Sequence, residues 1–175
     1  MRIVVSGVTA TFLGAAILVA QTAAPTPGPE HKRLERMVGL WNYQGEAKAS
    51  PLGPAGKITG SETCEWFAGN FGIVCRSKGT GPKGAMTAMN VMSYDPAQKT
   101  YTYYTISSQG DNFFIRGQVN GNVWTWEDTM QADGKPMKVR ATVTEESPTV
   151  THFKLEAGPE GQLMVVEEGR STKQK

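Results

Sequence analysis

Residues 60–79 read GSETCEWFAGNFGIVCRSKG, and they decide the fold. The two cysteines of the chain, Cys64 and Cys75, lie on either side of Gly69-Asn70. A two-residue turn at Gly69-Asn70 sets Ala68 against Phe71. Counting outward from there, Cys64 faces Cys75 in a hydrogen-bonded antiparallel pair, with Cα atoms about 5.5 Å apart. That spacing is within reach of a disulfide. The bridge would close a loop of about a dozen residues and add roughly 2–3 kcal/mol, mainly by restricting the unfolded chain. Two thiols supply too few ligands for a metal site. A redox pair is spaced more closely, as Cys-x-x-Cys. The segment therefore reads as a stapled β-hairpin.

The same register sorts the side chains. Ile58, Cys64, Trp66, Phe71, Ile73 and Cys75 share one face; Thr59, Ser61, Thr63, Glu65 and Arg76 share the other, with Phe67 and Val74. The first set is the expected interior. Glu62 falls on that face opposite Ser77, an inward carboxylate that is either a solvated rim residue or a polar anchor for a ligand.

Beyond the hairpin the chain is rich in Thr, Val, Tyr, Trp and Phe and is cut by turn residues at short intervals. Ten strands are predicted, at 41–49, 57–67, 71–78, 86–94, 100–108, 112–119, 122–130, 136–145, 149–157 and 162–170. Short links (GN, DPAQK, QGD, NG, ADGK, SPT and GPEG) imply antiparallel neighbours. So many consecutive strands leave two bare edges unless the sheet closes, so the expected fold is an all-β, up-and-down antiparallel barrel. One short helix is predicted within Pro29–Gly39, where Leu34, Met37 and Val38 recur at helical spacing and Gly39 stops the run.

Asn120-Gly121 is the strongest turn signal. As a two-residue turn it sets Gly117 opposite Trp124 and Phe113 opposite Asp128, with Phe113, Ile115, Trp124, Trp126 and Asp128 facing inward. The glycine leaves room for the indole. The candidate cavity residues are therefore Glu62, Trp66, Ile73, Phe113, Ile115, Trp124, Trp126 and Asp128. The tryptophans either line a cavity or fill the core.

The chain opens with Arg2, an apolar run from Ile3 to Ala20, then small residues and prolines. This is the layout of a secretory signal peptide cleaved after Ala20 or Ala24. It leaves a linker at 21–29 and one barrel domain at 30–173. Arg2 leaves with the leader, so 17 basic residues face 16 acidic ones, a net charge of +1. Lysine and arginine form no stripe, which argues against nucleic acid as a partner. No membrane span is expected once the leader is removed. The setting is periplasmic or secreted, where a disulfide persists.

Gly39-Leu40-Trp41 is a GxW segment between the short helix and the first strand. It is followed by TCEWFAGNFGIVCRSKGTGPKG, YDPAQKTYTYYTI, GKPMKVRATVTEESPTVTHFKLE and EEGRSTK. This series, over about Pro29 to Lys173, resembles a family of exported bacterial proteins of unknown function considered lipocalin-like. The resemblance implies a calycin-type β-barrel and carries no activity with it. Where that resemblance leads one to expect tryptophan in the last strand, this chain has Leu163.

Catalytic and cofactor signals are sparse. His31 lies in the predicted helix, and His152 alternates with inward Phe153 and Leu155 and so points outward. That is the wrong face for haem as held by related nitrobindin-type barrels. Met86 and Met92 share a strand face and Met89 takes the other, so they cannot converge on copper. No nucleophile has a histidine partner. GTGPKG lacks phosphate-binding spacing. Arg116 is expected to face outward with Glu127 as a diagonal partner. No metal and no cofactor is expected. The leading expectation is a barrel binding a small, mostly apolar molecule. The alternatives are an envelope interaction module with a filled core, and an enzyme on a lipid-like substrate using Glu62 and Asp128.

Overall fold

The computed structural model describes residues 24–132 and 134–175; the leader assigned to residues 1–20 lies outside the described residues. One helical turn, α1 (Pro29–Lys32), runs into a 3-10 turn (Arg33–Arg36). Ten strands follow: β1 (Gly39–Ala47), β2 (Gly56–Trp66), β3 (Gly72–Gly81), β4 (Gly84–Asp95), β5 (Thr100–Ser107), β6 (Asn112–Asn120), β7 (Val123–Ala132), β8 (Lys135–Ser147), β9 (Val150–Gly158) and β10 (Met164–Lys173). Each pairs antiparallel with the next, and β10 returns to β1 to close the barrel. Closure satisfies both edges, as the run of short links requires.

The first hairpin keeps its expected register, with Cys64 opposite Cys75 and Glu62 opposite Ser77. The cysteines form a disulfide, with Cα atoms 4.0 Å apart. That distance belongs to a non-hydrogen-bonded pair rather than the expected hydrogen-bonded one. The reason is the turn. Phe67 N donates to Gly72 O, so the loop is Ala68–Phe71, four residues centred on the same point, with Gly69 and Asn70 both at positive φ. Moving the closing bond out by one residue inverts the phase of every pair beyond it and leaves the partners unchanged.

The second hairpin departs from expectation by two residues. Gly117 pairs with Trp126 and Val119 with Trp124. The turn residues are Gly121-Asn122, and of these only Gly121 has positive φ, as a turn with glycine at its first central position requires. A shift of two preserves the faces, so Trp124 and Trp126 still point inward. Glycine still makes room for an indole, but that of Trp126: a Cβ at Gly117 would lie 2.5 Å from Trp126 Cδ1. Phe113 and Asp128 are consequently not partners. Arg116 stands directly opposite Glu127 rather than diagonal to it, yet Glu127 pairs with Arg140, and the Arg116 guanidinium lies 4.8 Å from the centre of the Phe114 ring.

The helical segment is a plug. Its fully buried Leu34 packs with Cys64, Ile73, Cys75, Met92, Tyr101, Trp124 and Trp126 across one end of the barrel. Ring donors fasten it from several strands. Trp41 Nε1 donates to Met37 O (2.9 Å), Trp66 Nε1 to Glu35 (2.8 Å), and Tyr101 Oη to Glu30 O (3.0 Å). At the other end a second apolar cluster joins Met137, Ala157 and Val166, with Leu52 of the β1–β2 loop packed against it.

Candidate functional site

Between these two apolar clusters the barrel holds a polar layer. Asn90 Nδ2 donates to Glu62 Oε1 at 2.8 Å, and Thr105 Oγ1 donates to Asn90 Oδ1 at 2.8 Å. The chain of bonds crosses β2, β4 and β5. Strand alternation puts all three residues inside: Glu62 precedes Cys64, Asn90 precedes Met92, and Thr105 follows Tyr103, each by two. Burial pushes the Glu62 carboxyl above its ordinary range, and the Asn90 bond opposes that shift. Among the described residues no cation pairs with it.

Aromatic rings stand in the same region. Tyr103 lies 5.9 Å from Trp126 and stacks on Phe113 at 6.4 Å, and Trp126 stacks on Trp124 at 5.7 Å. Burial raises the Tyr103 hydroxyl well above its ordinary range, and the Glu62 charge adds to the effect. Trp126 Nε1 is buried without a hydrogen-bond partner among the described residues. Tyr43 is held up by burial and then by Glu62 and Glu167. A second inward carboxyl, Glu167, is raised by burial alone. It sits beside a β-bulge between Val165 and Glu167 in β10.

The expected cavity residues thus separate. Ile73 and Trp124 are fully buried beneath the plug. Trp66 is half-buried and bonded to Glu35. Trp126 belongs to the plug cluster and Ile115 borders it, while Glu62 and Phe113 lie further along the barrel. Asp128 is exposed, and its carboxylate accepts from Thr129 N at 2.7 Å. That bond occupies the group locally on β7, with no contact to Glu62.

Asn90, Thr105, Tyr103, Tyr43 and Glu167 did not come from the sequence reading. Asn90 had a signal, since it stands two positions before inward Met92. Glu167 had none, because the bulge breaks the alternation that would have assigned it. The Glu62 carboxylate and the two cysteine sulfurs lie within 4.8 Å of one another. The sulfurs are bonded to each other, so the trio offers one ligand atom and is no metal centre. His31, buried in the plug, accepts from Gly28 N at 3.2 Å and packs edge-on against Phe71 and Tyr94.

A concavity of about 650 Å³ lies on the outer face of β1–β4, among Thr59, Ser61, Lys78, Thr80 and Thr87. It is open, and its side chains are ordinary solvated strand positions, so the interior layer is the stronger candidate.

Residues 26–169 match the family described as "Protein of unknown function (DUF1579)", and the chain belongs to that family. No curated protein matches it. Among solved structures it is similar to Rv2717c from M. tuberculosis, with TM-score 0.60, 12% identity, and coverage of 85% of this chain and 99% of that one. It is also similar to the S-type phycobiliprotein lyase CPES from Guillardia theta, with TM-score 0.55, 11% identity, and coverage of 83% and 93%. At such identities the likeness is one of fold.

Proposed function

We propose that this member of the DUF1579 family binds a small, mostly apolar molecule inside the barrel, with Glu62 as the polar contact. The observation that carries the reading is the Glu62–Asn90–Thr105 chain, set between two apolar clusters and beside Tyr103 and Trp126. An inward carboxylate without a cation is costly to hold, and among the described residues its second oxygen has no hydrogen-bond partner to keep it from a ligand. Inward Tyr43, Glu62, Tyr103, Ile115, Phe153 and Leu155 are each only half-buried, which supports accessible space beside them.

The disulfide and the leader-like residues 1–20 support a periplasmic or secreted setting. No helix among the described residues is long and apolar enough to cross a membrane. An acid–base role for Glu62 with Asp128 gains no support, because Asp128 is engaged with its own strand.

Native mass spectrometry of protein purified from its own host tests the reading. A co-purifying small mass that is released on denaturation is the expected result. The Glu62→Gln protein should hold it more weakly by about 1–3 kcal/mol, the contribution of a hydrogen bond to a charged group. Bare protein from the host, or full loading of the variant, contradicts it and favours an interaction module with a filled core.

A further inference from the structure

The barrel is closed but not zipped throughout. The β6–β7 ladder runs from Asn120↔Val123 to Arg116↔Glu127 and stops. Both strands continue beyond it. Residues 112–115 stay paired to β5 on their far side, and residues 128–132 stay paired to β8. Extending the ladder would set Ile115 against Asp128, Phe114 against Thr129, and Phe113 against Met130; none of these pairs forms. The facing backbone edges are left without partners over that length, which is unusual inside a closed sheet.

The side chains at this split are apolar and exposed. Phe113 and Met130 belong to inward-facing positions, yet they are 37% and 38% exposed. Phe114, Tyr104 and Ile106 are exposed on the outer surface beside them. Tyr104 pairs with Phe114, so these residues form one patch. The Phe113 ring continues inward as a stack on Tyr103, which leads to Trp126.

The plug obstructs the axial route at its end, and the β1–β2 loop covers the β8–β10 side of the other. The plug fills one end with Leu34 and its neighbours. At the other end Leu52 packs on Met137, Ala157 and Val166, and Gly53 lies against the Lys83 side chain of the β3–β4 turn. The side left uncovered is that of β6 and β7, where Phe113 and Met130 are exposed. In the ring of strands β7 lies diametrically opposite β2, which carries Glu62. The inward positions of the layer carry carboxyls, amides, hydroxyls and rings. Among the described residues no Lys, Arg or His occupies an inward strand position there to meet an anionic head.

We propose that the unpaired β6–β7 seam is the side entrance of the barrel, and that its ligand is an elongated amphiphile with an uncharged polar head. The head meets Glu62 on the far wall, and the apolar tail lies between Phe113, Ile115 and Met130 at the seam. The proposal rests on the binding reading and adds the ligand class and its route.

The test uses the whole mature protein and a neutral long-chain alkanol tagged with pyrene, which quenches tryptophan emission by energy transfer. In the Phe114→Cys, Thr129→Cys protein the two new thiols face outward and bracket the seam. They are joined by oxidation, or by a short bismaleimide where the sulfurs do not meet, and the link is verified by mass. Uptake by the linked protein should slow or weaken by about tenfold or more. The unlinked double variant is the reference against which the linked protein is read. The pyrene-tagged fatty acid of the same length should bind more weakly than the alkanol. Uptake rates and affinity in the linked protein equal to those of the unlinked one overturn the side entrance while leaving binding at Glu62 standing. Equal or tighter binding of the acid overturns the uncharged head. No uptake by the wild-type protein overturns the binding reading, and this proposal with it.

Discussion

Glu145→Gln tests what fastens the plug to the barrel. Glu145 sits at a bulge in β8, and its side chain is 7% exposed. It accepts from Trp124 Nε1 at 2.7 Å and pairs with Arg33 at 2.8 Å and Arg36 at 3.1 Å. The Arg33 guanidinium also lies 5.1 Å from the centre of the Trp124 ring. Breaking a fully buried ion pair costs about 3–5 kcal/mol, whereas an exposed pair contributes at most about 1 kcal/mol. Here the acid is buried while the arginines are 25% and 36% exposed, so water recovers part of their loss. Glutamine keeps the shape and the Trp124 bond, which places the cost near 2 kcal/mol. In a domain of this size that lowers Tm by about 4–8 °C.

The pH dependence gives a second check. Burial pushes the Glu145 carboxyl up, but hydrogen bonds from Arg33, Trp124 and Arg36 outweigh it and hold the group below its ordinary range. As pH falls, the unfolded chain therefore takes up the proton first. The stability from Glu145 is complete above the ordinary glutamate value, about 4.3. It is lost as pH falls through the lowered folded value. Thermal unfolding followed by circular dichroism at low salt, from about pH 7 down to about pH 3, should show the two proteins converging in acid. Equal melting at neutral pH, or a gap that persists unchanged in acid, would refute the argument.

The Cys64→Ser, Cys75→Ser protein should fold and lose about 2–3 kcal/mol, because the bridge closes a local loop; alkylation of the wild type without reductant should add nothing, and two adducts would contradict the disulfide. Glu62→Gln should raise stability at alkaline pH while weakening ligand binding. Burial raises the Glu62 carboxyl, so its charge is tolerated less well in the folded state, and wild-type stability falls as pH rises from the ordinary value through the raised one. A variant that melts no higher than wild type at about pH 8 would count against this. Gly117→Ala sets a methyl 2.5 Å from Trp126 Cδ1 and 2.6 Å from Thr125 O. It should destabilise by about 1–3 kcal/mol and shift the tryptophan emission, and an unchanged spectrum and Tm would show that the ring has room to move.

The strand count and the closure were legible from the turn spacing and the bare edges it would leave, and the faces because they depend on parity. Turn chemistry and two-residue alternation survive an error of two in the register, as the second hairpin shows. What parity cannot reach was misread. The spacing around Asn120-Gly121 looked like a turn with two positive-φ residues, and the chain uses one, Gly121. The hydrogen-bond phase of the cysteine pair followed from loop length, which Gly69-Asn70 alone does not specify. Asp128 was assigned a partner on β6 that the split ladder never supplies. Glu62 was visible as an inward acid, but its partner is Asn90 on β4 rather than Ser77. Sequence pairing within one hairpin cannot find a bond to the next strand.

The interior layer then poses a problem of energetics. The plug cluster and the Met137 cluster are apolar and need nothing between them but more of the same. A leucine and a valine at Glu62 and Thr105 would continue the column, and apolar replacement of buried charged groups is often neutral or stabilising. Glu62, Asn90 and Thr105 instead form a bonded chain that leaves one carboxylate oxygen without a partner among the described residues. On the opposite wall, Trp126 adds an indole N–H without a hydrogen-bond partner among the described residues. Each is a cost to the empty barrel and a hydrogen bond to a suitable guest. The hairpin that carries Glu62 is also the one the disulfide pins, with the sulfurs two residues away on the same face. A staple placed there holds the register in which Glu62 faces inward. A slip of one residue would turn Glu62 to solvent and Thr63 inward. The position of the disulfide therefore does for the site what its contribution to global stability alone would not require.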